Sequence, residues 1–283
     1  MKALRSSILL ALACLVFTTG CVFRRLAFKQ ADLLIQFEIN AAVGLEDAQK
    51  KFLDRELDLF LRGLNRIDVP QLQDLLVDVV RRVDTGASKS EIESLYRRWE
   101  DIYEGAVRRA SGPTAEFLHS LSDAQIEKWR KYQEKKIQNK IQELNKGESR
   151  YIHEREKKMR SNLGKWIGDV NVDQKSAIAE FIRADWLRVR LEANVIAQSQ
   201  LLVRQAIMDR KGHTQLQNLL LSQTTRPFTG LSQVHITLKS GRRDDWINLL
   251  SSVSATLTNE QKTFLKDEVN ELSSDLALLG SQP

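Results

Sequence analysis

The sequence predicts an all-α fold: an elongated multi-helix bundle with two long helices and no substantial sheet. Three observations carry that prediction. Charged residues make up 28% of the 283-residue chain while Gly (13) and Pro (4) are scarce, a composition that favours helices over a turn-rich β fold. Apolar residues recur at three- and four-residue spacing through most of the chain. Two stretches, 123–145 and 172–211, contain no Gly or Pro. At 1.5 Å per residue the second makes a rod of roughly 60 Å, longer than a compact bundle of this mass needs.

A leader stands ahead of the helices. Lys2 and Arg5 precede an unbroken apolar run from Ile8 to Phe17, and Thr18, Thr19 and Gly20 lead into Cys21. This run fits a signal h-region and falls well short of the ~20 residues that cross hydrocarbon. Residues 1–20 are therefore expected to be a signal peptide cut between Gly20 and Cys21, leaving 21–283 as a single elongated helical domain. Cys14 departs with the leader, so Cys21 is the lone cysteine of the mature chain and no internal disulfide can form. Cys21 after Thr-Gly resembles the lipobox of bacterial lipoproteins, with Thr18 departing from the more common Leu. The resemblance implies that Cys21 is lipidated. Val22, where an Asp would hold the chain at the inner membrane, implies the periplasmic face of the outer membrane.

In the mature chain, Leu26, Ala31, Leu34, Ile35 and Ile39 predict a first helix ending at Gly44. Phe52, Leu53, Leu57, Phe60 and Leu64 predict a second over 46–66. Pro70 suits a first helical turn and Gly86 a left-handed C′ position, which places a third helix over roughly 70–84. Ser88 and Glu91 form a capping box for a fourth, carrying Ile92, Leu95, Trp99, Ile102, Tyr103 and Val107 to a break at Ser111-Gly112-Pro113. A short helix bearing Phe117 and Leu118 follows. The stripe Ile126, Trp129, Ile137, Ile141 and Leu144 resumes past Gly147 at Ile152, Met159, Leu163 and Trp166. It reads as one helix kinked at Gly147 or two nearly collinear ones. Ile178, Phe181, Ile182, Val189, Ile196, Val203 and Ile207 line the second long helix. After a short Leu-rich helix, 223–241 reads as loop with some helix, since VHITL alternates like a strand but has no partner. Helices at 243–256, bearing Trp246, Leu249, Leu250 and Val253, and at 259–279 complete the chain.

One local pattern recurs. LEDAQ at 45–49, LSDAQ at 121–125, VNVDQ at 170–174 and LTNEQ at 257–261 each place an apolar residue, a polar or acidic one, two more residues and a Gln. Ser122, Asn171 and Thr258 can cap a helix while Gln125, Gln174 and Gln261 reach back to the cap, each such cap contributing about 1 kcal/mol. Glu46 is a poorer cap. The unequal intervals make this a repeated helix-start device, with no solenoid period. The pattern resembles the LTxxQ motif of the Spy-like periplasmic chaperones. The order FKQADLLIQFEIN, LEDAQKKFLDREL, Val69-Pro70, NLGKWIGDVNVDQKSAI and LTNEQKTFLKDEVNELSSDL resembles a family of unknown function found among proteobacterial lipoproteins. Leu64-Asn65-Arg66 departs from its common Trp-His-Arg. The resemblance spans nearly the whole mature chain and implies an address and a fold, with no assigned activity.

Residues that could do chemistry are sparse. His119, His153, His213 and His235 are isolated in sequence, and no zinc-protease, nucleophile-elbow, phosphate-loop or dinucleotide motif occurs. Asp169, Asn171, Asp173 and Glu180 fall in a calcium-loop register, but Gln174 replaces the turn glycine and Lys175 sits at the seventh position, so these residues read as an acidic helix N-terminus. The tryptophans at 99, 129, 166, 186 and 246 fall mostly on apolar stripes and read as core. No catalytic residue, metal site or cofactor is predicted.

The net charge of +6 falls to +4 without Lys2 and Arg5. That is too dilute for a nucleic-acid binder but compatible with anionic headgroups. The basic stretch 128–165 offers Lys128, Lys131, Lys135, Lys136 and Lys140 as candidate contacts with an anionic surface. The expected partners are the membrane, through the lipid anchor, and an envelope protein. The expected function is non-enzymatic: envelope binding, scaffolding or chaperone-like contact. An enzyme acting on envelope polymers is the alternative. The sequence leaves oligomeric state and partner identity open.

Overall fold

The computed structural model describes residues 30–209 and 211–280. The expected leader, Cys21 and Leu26 lie outside the described residues. Ten α-helices and one π turn make up the described chain, with no strand among the described residues. They are α1 (Ala31–Val43), α2 (Asp47–Gly63), the π turn Leu64–Asp68, α3 (Val69–Val83), α4 (Lys89–His119), α5 (Asp123–Asn145), α6 (Glu148–Ile167), α7 (Val172–Met208), α8 (His213–Thr224), α9 (Gln233–Ala255) and α10 (Asn259–Gly280). The fold is the all-helical bundle that the composition predicts.

Several element ends follow from single residues. Gly44 ends α1 at φ 72°, a left-handed position that carries no penalty for glycine. Gly86, at φ 74°, lies in the turn before α4, and the Ser88–Glu91 box is closed: Ser88 N–H donates to Glu91 at 2.9 Å and Glu91 N–H to Ser88 Oγ at 3.3 Å. Gly147, at φ 100°, separates α5 from α6, so the basic stretch is two helices.

Three expectations are corrected. First, no helix ends at Ser111-Gly112-Pro113, because α4 runs through Pro113. A proline inside a helix removes one backbone donor and clashes with the preceding turn. Here α8 packs alongside and holds the segment by tertiary bonds: His213 Nε2 meets the Gly112 carbonyl at 2.9 Å and Gln217 Nε2 donates to Ser111 Oγ at 3.0 Å. Second, the VHITL segment is helical. Ser232 caps α9 by accepting the His235 N–H at 3.3 Å, and the helix continues through Gly241, which packs beside the Arg188 guanidinium. The alternation at 234–238 is fortuitous. Third, the helices expected over 46–66 and 70–84 are not separated by a break at Val69-Pro70: α2 passes into α3 through the π turn, with Val69 N–H bonding the Leu64 carbonyl five residues back. The wider turn absorbs a proline that has no N–H to give. Pro70 does stand in the first turn of α3, as its sequence position suggests.

Two main cores form, and α7 takes part in both. The larger gathers Ile35, Ile39 and Ala42 of α1, Leu53 of α2, Phe117 and Leu118 of α4, Ile126 and Trp129 of α5, Val203 and Ile207 of α7, and Leu216 and Leu220 of α8. The other joins Ile167 of α6, Ile178, Phe181 and Ile182 of α7, and Leu249 and Val253 of α9, with Trp166, Trp246 and Leu265 packed against it. Leu144, Trp186 and Val189 form a smaller cluster. The α7 stripe read from sequence is thus buried, apart from Ile196, whose side chain lies outside the description. Leu34 and Ile141, also assigned to apolar stripes, are exposed instead.

The four Gln boxes explain how each core is closed. Each Gln uses its Oε1 to accept its own cap's backbone N–H: Glu46 at 3.1 Å, Ser122 at 3.0 Å, Asn171 at 3.0 Å and Thr258 at 3.1 Å. Ser122, Asn171 and Thr258 return a side-chain oxygen to the Gln N–H at 3.3, 3.0 and 3.2 Å. The boxes also meet in pairs. Gln49 and Gln125 donate to each other's Oε1 at 3.1 and 2.7 Å, and Gln174 and Gln261 do the same at 2.9 and 3.0 Å. Each Nε2 also reaches the carbonyl five residues before the opposite Gln. Gln125 takes Gly44 and Gln49 takes Ser120 in the first pair, while Gln261 takes Asp169 and Gln174 takes Thr256 in the second. Each junction therefore has local two-fold character. The first joins the α1–α2 corner to the α4–α5 corner, the second the α6–α7 corner to the α9–α10 corner.

Candidate binding surface on the longest helix

Thirty-seven residues make α7 about 55 Å long. Its buried stripe faces the cores, and a second apolar set faces outward: Leu187 (67% exposed), Leu191 (56%), Leu201 (51%), Leu202 (53%) and Met208 (56%). At 100° per residue these positions share one face. Exposed apolar residues gathered on one face mark an interaction site more often than scattered ones do.

An open cleft of about 290 Å³ lies between α5 and this face, lined by Trp129, Arg130, Gln133, Glu134, Ile137, Gln198, Gln200, Leu201 and Arg204. Gln200 Nε2 donates to Gln133 Oε1 across it at 3.2 Å, tying the two helices together. Arg130 is held by Glu127 and Glu134 of its own helix. Arg204 makes no ion pair among the described residues. The cleft is thus a shallow apolar trough with amides and arginines on its rim, suited to holding a side chain or short segment more than to enclosing a substrate.

A second cluster lies where α6, α7 and α9 meet. Asp185 (3% exposed) and Glu192 (7%) project from α7 toward Arg242 of α9. Arg242 donates to Asp185 at 3.3 and 3.0 Å and to Glu192 at 2.6 Å, and Tyr151 Oη donates to Asp185 at 3.1 Å. Burial works against the Arg242 charge, but Glu192 and Asp185 outweigh it and hold its pKa above the ordinary value. Burial pushes the Tyr151 phenol up to about 12. Arg155 approaches Asp185 at 3.7 Å. The two carboxylates are thus neutralised by groups on neighbouring helices, which is how an ionic link inside a bundle is kept. The adjacent Arg243 turns the other way and meets Glu93 at 3.4 Å and Glu100 at 3.3 Å, both on α4. The dipeptide Arg242-Arg243 thus pins α9 between α7 and α4, which is why the segment past Gly241 stays helical.

The five lysines singled out from sequence do not share one role. Lys131 is exposed, at 3.8 Å from Glu127, and Lys135 is exposed. Lys136 is committed to Glu38 of α1 and lies 4.5 Å from the Tyr132 ring centre. Lys128 folds over Gly44 at the α1 C-terminus, so close that a Cβ there would stand 2.8 Å from its Nζ. The amine of Lys140, though much of its side chain is exposed, is crowded at the Asp185 cluster. Desolvation and then the Arg155 charge lower its pKa. Of the five, Lys135 and, apart from its pairing with Glu127, Lys131 match the exposed basic face that the sequence suggested. In the calcium-like register, Asn171 and the Asp169 carbonyl belong to the second glutamine junction, with Asn171 Nδ2 donating to Thr256 at 2.9 Å.

The outward leucines of α7 were not singled out from sequence. Their signal was present, since Leu187, Leu191, Leu201 and Leu202 lie off the isoleucine stripe and give α7 a second apolar face.

No curated protein and no solved structure is found to match the chain. A family model matches residues 42–225, a narrower span than the resemblance suggested, taking in three of the four Gln boxes and leaving out the LTNEQ box. The matched part covers more than half of the sequence, and the chain belongs to the family of unknown function DUF6279.

Proposed function

We propose that this chain is a lipid-anchored, non-enzymatic envelope protein that holds apolar segments of partner proteins against α7, in a scaffolding or chaperone-like role at the periplasmic face of the outer membrane. The observation that carries the reading is the outward face Leu187, Leu191, Leu201, Leu202 beside the Trp129–Ile137 trough. The leader and Cys21 support the address, and the LTxxQ-like boxes support the chaperone-like comparison. The test is suppression of aggregation of a chemically unfolded client protein by the soluble chain. Suppression near equimolar ratio that is lost in Leu201→Glu/Leu202→Glu, with the helical signal intact, supports the reading. No suppression by the unaltered chain contradicts it.

The alternative, an enzyme acting on envelope polymers, draws on one observation: Lys140, with its lowered pKa, beside Asp185, Glu192 and Tyr151. Release of soluble fragments from envelope polymer by the chain, abolished in Asp185→Asn, would favour it over the binder.

A further inference from the structure

The first helix has two apolar faces and buries only one. Ala31, Ile35, Ile39, Ala42 and Val43 enter the core. On the opposite side Leu33 (60% exposed), Leu34 (49%) and Phe37 (73%) stand in the open, flanked by exposed Asn40 and Ala41. A helix with apolar residues on two faces calls for cover on both. Its main packing partners here, α5 and α2, cover one.

Three features on the page say what the cover is. The outward face carries no charge of its own; beside it, Glu38 is paired with Lys136 and accepts from Tyr132 Oη at 2.5 Å, and Asp54 of α2 accepts from Gln36 Nε2 at 2.5 Å. Only eight residues, Val22 to Lys29, separate Cys21 from Gln30, so the start of α1 lies at most about 35 Å along the chain from Cys21. Those eight residues hold Arg24, Arg25 and Lys29 without an acid, interleaved with Phe23, Leu26 and Phe28. Cations among large apolar residues suit the boundary between anionic headgroups and acyl chains, where apolar area and charge attraction both contribute to binding.

We infer that the outward face of α1, Leu33, Leu34 and Phe37, is a docking surface for an anionic lipid bilayer, on which the helix lies with these side chains dipped below the headgroups. The place of this contact in the cell rests on the lipid-anchor reading; the contact itself does not need the lipid. Docking there would set the domain's orientation on the membrane, with α1 down, where a lipid alone would leave it free to tumble.

The test uses the chain from residue 21 onward with Cys21→Ser, which removes the lipid and the only thiol. Phe37→Cys then carries an environment-sensitive dye, and Glu260→Cys, at an exposed site on α10, carries the same dye as control. Vesicles of phosphatidylethanolamine with phosphatidylglycerol should shift the dye at position 37 to the blue and leave the dye at 260 unchanged. Leu34→Glu in the unlabelled Cys21→Ser chain should weaken vesicle binding by about tenfold or more, the order expected for keeping one large apolar side chain out of the bilayer. Its helical signal and urea midpoint should be unchanged. A dye at 37 that is already blue-shifted in buffer and indifferent to vesicles would show the face covered by the chain's own segment or a second copy, and would overturn the inference. Equal response at 37 and 260, or none at either, would overturn it as well. Palmitate labelling of the unaltered chain in cells tests the anchor separately, so a missing label with a positive dye response fails the anchor reading and leaves the contact standing.

Discussion

Gln174 and Gln261, 87 positions apart in sequence, hold each other through two amide bonds of 2.9 and 3.0 Å while each also caps its own helix. Both are buried, at 0% and 5% exposure, so the bonds form away from water. Removing one side chain leaves the other's amide, a cap N–H and a carbonyl unmatched together. Unsatisfied buried polar groups cost about 1–3 kcal/mol each before relaxation.

Gln174→Ala is therefore expected to destabilise the fold by about 2–4 kcal/mol in urea unfolding. Gln261→Ala should cost a similar amount. The double variant should fall short of the sum by about 1–2 kcal/mol, because the first truncation has already broken the shared bonds. Additivity to within the error of the fits would show that the two amides act only as separate caps.

At the first junction the same cycle on Gln49 and Gln125 should show coupling of the same sign. The single Ser122→Ala variant should cost more than Glu46→Ala, since Ser122 Oγ accepts the Gln125 N–H at 3.3 Å whereas Glu46 makes no side-chain cap hydrogen bond. Equal costs would mean that the pairing, and not the caps, sets the energetics at both junctions.

Arg242→Met is expected to destabilise by about 3–5 kcal/mol, because it strands Asp185 and Glu192 without their cation. Adding Asp185→Asn and Glu192→Gln to Arg242→Met should recover part of the loss. Failure to recover any of it would place the cost in packing of the arginine stem.

Glu38 gives the α1–α5 contact a pH signature. The Lys136 ammonium and then the Tyr132 hydroxyl hold its carboxyl below the ordinary value near 4.5, with burial opposing. A carboxyl with a lowered folded pKa contributes stability that is present above its unfolded pKa and is lost as pH falls through the folded one. The stability difference between the unaltered chain and Glu38→Gln should thus be largest above pH 4.5 and shrink on acidification below it. A difference independent of pH across that window would remove the ionic contribution.

What was legible in the sequence was local. The boxes at Ser122–Gln125, Asn171–Gln174 and Thr258–Gln261 name helix starts because cap and Gln lie three residues apart, and all three form. Their pairing was not legible, since nothing within five residues says which other box a buried amide will meet. Pro113 and Gly241 read as breaks because propensity counts only the local cost, whereas α8 and the Arg242-Arg243 pair supply the tertiary contacts that carry each helix through. Leu34 read as core because one apolar stripe was assumed per helix, and α1 has two faces. Among the candidate lysines, Lys136 could not be told from Lys135 by sequence, because the distinction is the position of Glu38 on another helix.

The most direct test of the proposed binding role is the affinity of a fluorescently labelled, extended apolar peptide for the soluble chain, read by anisotropy. The account predicts saturable binding that weakens by about tenfold or more in Leu201→Glu/Leu202→Glu, the loss expected when large apolar contacts are replaced by charge, and that is unaffected by Glu260→Ala on α10. Binding of equal strength to the unaltered chain and to the Leu201→Glu/Leu202→Glu variant, or no binding to either, would contradict it.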